Sequence, residues 1–139
     1  MSTPVPTSSL QAPQTRILLV DDSDIVRQGL RTLLELLEGV HVVGEAADGC
    51  EALERAGALR PDVILLDLEM PVMGGFSAAY RLKSLLPNCR LVAFSVHASD
   101  LDRQRALEAG VDAYLVKGAP LAVLVEALTS PSGRTATVS

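Results

Sequence analysis

The chain has few cysteines, few aromatic residues and no long apolar segment. Its two cysteines, Cys50 and Cys89, lie far apart and outside any metal-ligand spacing, so we expect two buried free thiols rather than a disulfide or a metal site. No apolar run is long enough to cross a membrane. Residues 1–6 show neither the basic nor the apolar part of a secretion signal. We therefore expect a cytoplasmic protein that makes no contact with a membrane.

Positive charge is also scarce. Twelve Lys and Arg residues against 17 Asp and Glu residues give a net charge of −5. A protein of this charge is not attracted to the phosphate backbone of nucleic acids, so we expect no direct nucleic acid binding by this chain. Aromatic residues make up only 3 % of the 139 residues and apolar residues 48 %, which predicts one domain with an aliphatic core.

Short apolar runs alternate with segments of helical periodicity. The expected strands are 16–20, 41–46, 62–67, 90–95 and 113–116. The first expected helix follows a cap at Ser23 or Asp24, and four more helices are expected at 50–59, 76–86, 100–109 and 120–129. This alternation predicts an α/β fold, a flavodoxin-like doubly wound (βα)5 sandwich whose five-stranded parallel sheet has the order 2-1-3-4-5. Pro-, Ser- and Thr-rich ends predict flexible tails at 1–15 and 131–139 around a domain at 16–130.

Most of the predicted strands end in a polar or charged residue. Asp21 and Asp22 follow the first strand, Asp67 ends the third, Ser95 ends the fourth and Lys117 follows the fifth. In the predicted strand order these side chains meet at the carboxyl edge of the sheet, where open α/β sheets bind ligands. Clustered carboxylates favour a divalent cation such as Mg²⁺, and Lys117 and Ser95 supply donors for a phosphoryl group. The set is suited to carrying a phosphoryl group on an aspartate.

Each of these residues has an ordinary alternative when it is taken alone. Asp21 and Asp22 are typical helix caps, Ser95 is a common turn residue and Lys117 is a common solvated charge. Their joint occurrence at the strand ends is what favours a functional site.

Several motifs resemble the receiver domain of two-component response regulators, from about Arg16 to Thr129. The resemblance rests on residues 18–22 (LLVDD), 65–75 (LLDLEMPVMGG), Ser95, 109–114 (AGVDAY) and 116–117 (VK). Residues 95–97 (SVH) and 117–120 (KGAP) are most similar to receivers of the NarL/FixJ, or LuxR, type.

The resemblance implies a role for each site residue. Asp67 would be the phosphoacceptor, and Asp21, Asp22 and the backbone carbonyl of Glu69 would help to hold Mg²⁺. Ser95 and Lys117 would contact the phosphoryl group. Tyr114 would be an aromatic switch that follows Ser95; the alternative is a half-exposed tyrosine on a strand.

The resemblance also implies partners. A sensor histidine kinase would phosphorylate Asp67 and so change a face that binds a partner or a second copy. In the last helix, the residues expected to face the core are Leu121, Leu124, Val125 and Leu128. The helix is apolar on its other sides as well, so we expect the partner-binding face to lie on it and beside strand five. Such a protein would be a signalling module and not an enzyme, apart from forming and hydrolysing its own acyl phosphate.

Two departures from the common receiver pattern bear on the chemistry. Gly118 stands directly after Lys117, where many receivers have proline. Val96 is bulkier than the small residue often found after the strand-four hydroxyl, which predicts a narrower approach to Asp67 and modest phosphoryl turnover. Glu69 and His97 flank the site and are either polar loop residues or groups that tune the attacking water.

The output is open at this stage. The chain would regulate transcription through a DNA-binding domain that is absent from it, or act as a stand-alone receiver through another protein or a phosphorelay. An aspartyl-phosphate phosphohydrolase is a rival, but such enzymes carry a second aspartate where this chain has Glu69. A flavodoxin-like cofactor binder is disfavoured because no Gly-, Ser- or Thr-rich phosphate loop follows the first strand.

Overall fold

The computed structural model describes residues 14–70, 73–96, 99–129 and 136–138. Pro71, Val72 and His97, which the sequence analysis names, lie outside the described residues, as do residues 1–13, 131–135 and 139 of the predicted tails and residue 130 of the predicted domain. The strands are β1 Thr15–Val20, β2 Val40–Ala46, β3 Val63–Asp67, β4 Arg90–Ser95, β5 Ala113–Val116 and β6 Ala136–Val138; the helices are α1 Asp24–Glu35, α2 Gly49–Leu59, α3 Gly75–Leu85, α4 Asp100–Glu108 and α5 Leu121–Thr129.

The strands form one parallel sheet with the order β2-β1-β3-β4-β5-β6. The predicted order 2-1-3-4-5 and the flavodoxin-like α/β class are confirmed. β3 lies in the middle of the five predicted strands and is buried along its whole length. Such a strand is covered on both faces, which explains its uninterrupted apolar sequence.

Helices cover both faces of the sheet and bury two separate sets of side chains. On one face, α1 and α5 pack on Ile17, Leu19 and Leu65. On the other face, α2, α3 and α4 pack on the alternate strand residues, such as Leu18 and Ile64. Neighbouring residues of a strand point to opposite faces, so the same short strands supply both halves of the core.

Apolar residues on two helices remain exposed, among them Leu121, which was expected to face the core. In α1, Leu34 is buried and Leu30 packs against the core, while Ile25 and Leu33 are 83 % and 37 % exposed. A helix buries a stripe only about 100° wide, so apolar residues next to that stripe remain in solvent. Similarly, Leu121 in the first turn of α5 is 38 % exposed.

Elsewhere in α5, Ala127 is buried beside Leu124 and Leu128, although the sequence analysis did not place it in the core. Its carbonyl oxygen accepts a 2.6 Å hydrogen bond from Nε of the buried Arg90. A small side chain at this position lets the helix approach the sheet closely.

The stretch expected to be a C-terminal tail contains the short strand β6. Its backbone pairs in parallel with β5, from Ala113 opposite Ala136 to Leu115 opposite Val138. The edge of a sheet offers unpaired backbone groups with which a further strand can pair. Composition alone did not reveal this pairing.

The two cysteines are free, as expected, but only Cys89 is buried. Burial raises the pKa of the Cys89 thiol to about 12, so this thiol stays protonated. Cys50 is exposed in the first turn of α2, against the expectation that both thiols are buried. In the described part of the chain, no helix has the length and apolar character needed to span a bilayer.

Candidate functional site

The alternation of side chains along the strands sorts the site residues onto the two faces. Asp67 continues the series Val63 and Leu65, which packs under α1 and α5. Ser95 continues the series Leu91 and Ala93, which packs under α2, α3 and α4. The carboxyl edge therefore presents charged groups toward one face and the serine toward the other.

Three carboxylates converge at this edge. Oxygen atoms of Asp21, Asp22 and Asp67 all lie within 4.8 Å of one another. Asp21 and Asp67 are each 2 % exposed, whereas Asp22 faces solvent. Two of the carboxylates are therefore buried, and the third lies on the solvent side, from which an ion or a substrate can enter.

The ammonium group of Lys117 lies against the two buried carboxylates. Its Nζ is 3.3 Å from Oδ1 of Asp67 and 3.6 Å from Oδ2 of Asp21. The lysine follows β5, and its N–H donates a 2.7 Å hydrogen bond to the carbonyl oxygen of Ser95. This backbone hydrogen bond holds Lys117 next to Ser95 at the carboxyl ends of β4 and β5.

Backbone N–H groups orient both buried carboxylates. Oδ1 of Asp21 accepts from the N–H of Ser23 at 2.9 Å, and Oδ1 of Asp67 accepts from the N–H of Glu69 at 3.0 Å. Short side chains that bond the backbone two residues on are typical of tight turns. Each turn holds its aspartate at the exit of its strand.

The electrostatics of the cluster are unfavourable for Asp67 and favourable for Lys117. Burial raises the pKa of Asp67, and the charge of Asp21 adds to this, while the N–H of Glu69 and the charge of Lys117 oppose it. Burial by itself would lower the pKa of Lys117, but the carboxylates of Asp67 and Asp21 raise it above its ordinary value. The lysine is therefore a permanent cation at neutral pH.

The residues present fit a hard divalent cation. Among the described residues, Oδ2 of Asp21 is buried without a hydrogen-bond partner, which is costly for a charged oxygen. Three carboxylates, one of them open to solvent, are oxygen donors of the kind that Mg²⁺ prefers. An ion here would give this oxygen a direct ligand contact and reduce the repulsion between the carboxylates.

A cavity of about 150 Å³ separates Ser95 from Tyr114. It is lined by Leu68, Glu69, Phe76, Ser95, Asp102 and Tyr114. Tyr114 is completely buried, with the guanidinium of Arg103 5.8 Å from its ring centroid, so it is not the half-exposed strand tyrosine of the alternative. A larger cavity of about 400 Å³ lies at the opposite edge of the sheet and contains none of the predicted site residues.

Arg27 belongs to the site although the sequence analysis did not select it. Its guanidinium donates hydrogen bonds to the carbonyl oxygen of Asp21 and to the carboxylates of Asp24 and Glu45. The arginine thereby ties α1 and β2 to the turn that carries the first two aspartates. The sequence did contain a signal for this residue. Arg27 follows Asp24 by three residues, a spacing at which oppositely charged side chains on a helix interact.

The loop after β3 requires glycine at one position for steric reasons. A Cβ atom on Gly75 would lie 2.3 Å from the Cα of Leu68, so α3 can begin against the end of β3 only without a side chain there. Gly74 and Met73 both have positive φ angles, 72° and 68°.

The parallel sheet and the cluster of aspartates with one lysine at its carboxyl edge define the class of protein. It is a doubly wound α/β domain with an acidic site suited to a divalent cation. The chain matches the family described as the response regulator receiver domain over residues 17–129. It belongs to that family, and its function is in two-component signal transduction.

Known proteins similar to this chain are regulators. The response regulator GacA of Pseudomonas viridiflava is 42 % identical over 113 residues, which cover 81 % of this chain and 53 % of GacA. The structure of a two-component response regulator of the LuxR family from Aurantimonas sp. SI85-9A1 is 37 % identical, covers 81 % of each chain and superposes with a TM-score of 0.77. These similarities agree with the resemblance to the NarL/FixJ type.

A third similar structure bears on the chemistry. It is a response regulator protein from Burkholderia pseudomallei with a phosphorylated aspartic acid, a calcium ion and citrate, 30 % identical, with a TM-score of 0.76 and coverage of 84 % of this chain and 68 % of that one. The present chain spans about half the length of the curated relatives that it matches.

Proposed function

We propose that this domain is a phosphorylation-dependent switch in which Asp67 accepts a phosphoryl group. The observation that carries the proposal is the buried carboxylate of Asp67, 3.3 Å from the ammonium of Lys117 and beside two further aspartates. Membership of the receiver family supports it. The phosphorylated aspartic acid of the Burkholderia pseudomallei protein is a precedent in a relative.

In the proposed step, a carboxylate oxygen of Asp67 forms a bond to phosphorus as the bond to the donor breaks. With a phosphohistidine of a sensor kinase as donor, the P–N bond breaks and its electron pair leaves on the imidazole. With acetyl phosphate, a P–O bond breaks and acetate leaves. The product is an acyl phosphate, and hydrolysis by water returns the carboxylate and inorganic phosphate. We place this reaction in the cytoplasm, where such donors are made.

Asp21, Asp22 and Asp67 would hold Mg²⁺, together with the backbone carbonyl of Glu69. When bound, the ion supplies positive charge that offsets the repulsion between the phosphoryl oxygens and the carboxylates. Lys117 contributes a second positive charge on the side facing Asp67 and Asp21, and it holds a phosphoryl oxygen as a point charge.

Ser95 and Tyr114 would transmit the change. The new group carries about two negative charges and three acceptor oxygens, so it recruits the hydroxyl of Ser95. The cavity between Ser95 and Tyr114 gives both side chains room to move. Movement of Ser95 toward the phosphoryl group enlarges the space next to the tyrosine ring and favours a different packing at β5.

The output would be protein association rather than chemistry. We place the partner- or dimer-binding face around β5 and α5, where Leu121 and Ala122 are exposed. The LuxR-type relatives favour a role in transcription, through a DNA-binding domain outside the receiver; the alternative is a stand-alone receiver in a protein complex or a phosphorelay. A phosphohydrolase is not favoured, because the position two residues after Asp67 holds Glu69, whose side chain is hydrogen bonded to Val96.

Intact-mass spectrometry after incubation with acetyl phosphate or phosphoramidate and Mg²⁺ tests the phosphoacceptor. We expect wild type to gain one labile phosphate that is not formed in EDTA, and Asp67→Asn to gain none. Asp62→Asn is the matched control, because Asp62 precedes the same strand at its opposite end and accepts a hydrogen bond from the N–H of Arg16. A phosphate on Asp67→Asn, or none on wild type with either a small donor or a kinase, would refute the assignment.

A further inference from the structure

The side chain of Glu69 connects the exits of two neighbouring strands. Its Oε1 accepts a 2.8 Å hydrogen bond from the N–H of Val96, 27 residues away in sequence. The N–H of the same residue donates to Oδ1 of Asp67. Glu69 thus contacts both the proposed phosphoacceptor and the first residue after β4.

The carboxylate of Glu69 acts on the charged groups of the site. Its charge contributes to raising the pKa of Lys117 and, as a minor contribution, that of Asp67. It also lines the cavity beside Ser95 and Tyr114. An anion of the protein therefore sits beside the space that a phosphoryl group on Asp67 has to enter.

The donors at this edge include the ammonium of Lys117, the hydroxyl of Ser95 and the N–H groups of Glu69 and Val96. The ammonium of Lys117 and the N–H of Glu69 already contact Asp67. The N–H of Val96 follows Ser95 directly and already donates to a carboxylate. A phosphoryl group with about two negative charges would repel that carboxylate and compete for the same donor.

We propose that Glu69 is a built-in competitor of the phosphoryl group, with a carboxylate that occupies the N–H of Val96 until phosphorylation displaces it. This inference rests on the proposed function, namely that Asp67 is the phosphoacceptor. Displacement breaks the one described side-chain bond between the turn after β3 and the residue after β4. The segment leading into α4 is then held by the phosphoryl group instead of by Glu69, which couples the chemistry to a change in the chain around Val96.

Beryllofluoride binding tests the competition, because this anion stands in for a phosphoryl group on an aspartate and forms no lasting covalent product. Its dissociation constant is measured at saturating Mg²⁺ for wild type, Glu69→Gln and Glu69→Ala. A charge-assisted hydrogen bond at an exposed position is expected to change binding about three- to tenfold. We expect Glu69→Ala to bind most tightly and Glu69→Gln, which keeps an acceptor without the charge, to lie between the two.

Glu51→Gln is the matched control. Glu51 is another carboxylate that accepts a backbone N–H, that of Ala47, at 3.1 Å, but it lies in α2 beside β2 and away from Lys117. We expect its dissociation constant to equal that of wild type. A second readout needs neither metal nor anion: the ¹⁵N–¹H resonance of Val96 should shift and exchange faster with solvent in Glu69→Ala, and remain in place in Glu51→Gln.

The outcomes separate the two proposals. Equal or weaker beryllofluoride binding by folded Glu69→Ala, while wild type binds, would overturn the competitor and leave the phosphoacceptor intact. An unchanged Val96 resonance in Glu69→Ala would also overturn it. Failure of wild type both to bind beryllofluoride and to accept a phosphate would overturn the proposed function and the competitor together.

Discussion

Replacing Asp67 with asparagine should stabilise the fold when no divalent cation is present. The carboxylate is 2 % exposed, and it lies within 4.8 Å of two others. At an effective dielectric constant of about 20, two unit charges about 4.8 Å apart interact by roughly 3–4 kcal/mol. On the same scale the attraction to Lys117 at 3.3 Å is about 5 kcal/mol, so it offsets most but not all of the repulsion from the two other carboxylates.

Desolvation then decides the sign. Burial is the largest cause that raises the pKa of Asp67, so at neutral pH the ionised side chain costs free energy in the folded state. Asparagine has nearly the same shape and can still accept the hydrogen bond from the N–H of Glu69. We expect Asp67→Asn to increase the free energy of unfolding by about 1 kcal/mol in EDTA. The gain should shrink as the pH falls toward the ordinary pKa of an aspartate, because the wild-type carboxylate then becomes neutral.

Urea denaturation with equal m-values measures this difference, first in EDTA and then in excess Mg²⁺. A ligand at about 100 times its dissociation constant adds ~2.7 kcal/mol to the free energy of unfolding, and the variant has lost one of the three carboxylates. Mg²⁺ should therefore raise the free energy of unfolding of wild type more than that of the variant. The difference in stability between the two proteins should then become smaller or change sign. A variant less stable than wild type in EDTA would refute the reasoning.

Asp112→Asn should have the opposite effect and destabilise the fold. Oδ2 of Asp112 accepts hydrogen bonds from Nζ of Lys83 at 2.7 Å and from the N–H of Leu91 at 2.8 Å. This carboxylate is paired, so removing its charge should lower the free energy of unfolding by about 1–2 kcal/mol. Because it lies at the amino end of the sheet, the loss should be the same with and without Mg²⁺.

Three further substitutions test other parts of the site. Arg27→Gln should weaken Mg²⁺ binding, measured by direct titration, because the turn at Asp21 loses its guanidinium contact; unchanged affinity would contradict this. Gly75→Ala should destabilise the fold by about 3 kcal/mol or more in urea denaturation, because the new Cβ meets the backbone of Leu68; a stable variant would show that the turn can open. Val96→Ala should raise the rates of phosphorylation and hydrolysis measured by mass spectrometry, and unchanged rates would argue against restricted access.

The sequence was sufficient to predict the first five strands of the sheet, though not β6, because those strands are short, apolar and separated by helical periodicity. The predicted bounds of β4 and β5 coincide with those observed. Once the order is known, the carboxyl ends of the strands must share one edge. The convergence of Asp21, Asp67 and Lys117 therefore follows from topology, without knowledge of any side-chain contact.

What the sequence did not reveal depends on packing between distant segments. Ile25 and Leu33 are as apolar as their neighbours, and only the angle at which α1 packs decides which side chains are buried. The contacts of Arg27 with Glu45 and of Glu69 with Val96 join residues 18 and 27 positions apart. No local pattern predicts such pairs, since the turns that bring them together are set by the sheet.

The arrangement of charges gives a physical reason for a switch at this edge. Three carboxylates with one lysine leave excess negative charge, an oxygen on Asp21 that has no hydrogen-bond partner among the described residues and a raised pKa at Asp67. The site is therefore less stable without a cation than with one. Adding a phosphoryl group increases the negative charge again, and among the donors that can help to compensate, Lys117 and the N–H of Val96 are already engaged. Recruiting them, by moving Ser95 and displacing Glu69 from Val96, is how a local charge would alter the packing around Tyr114 and β5.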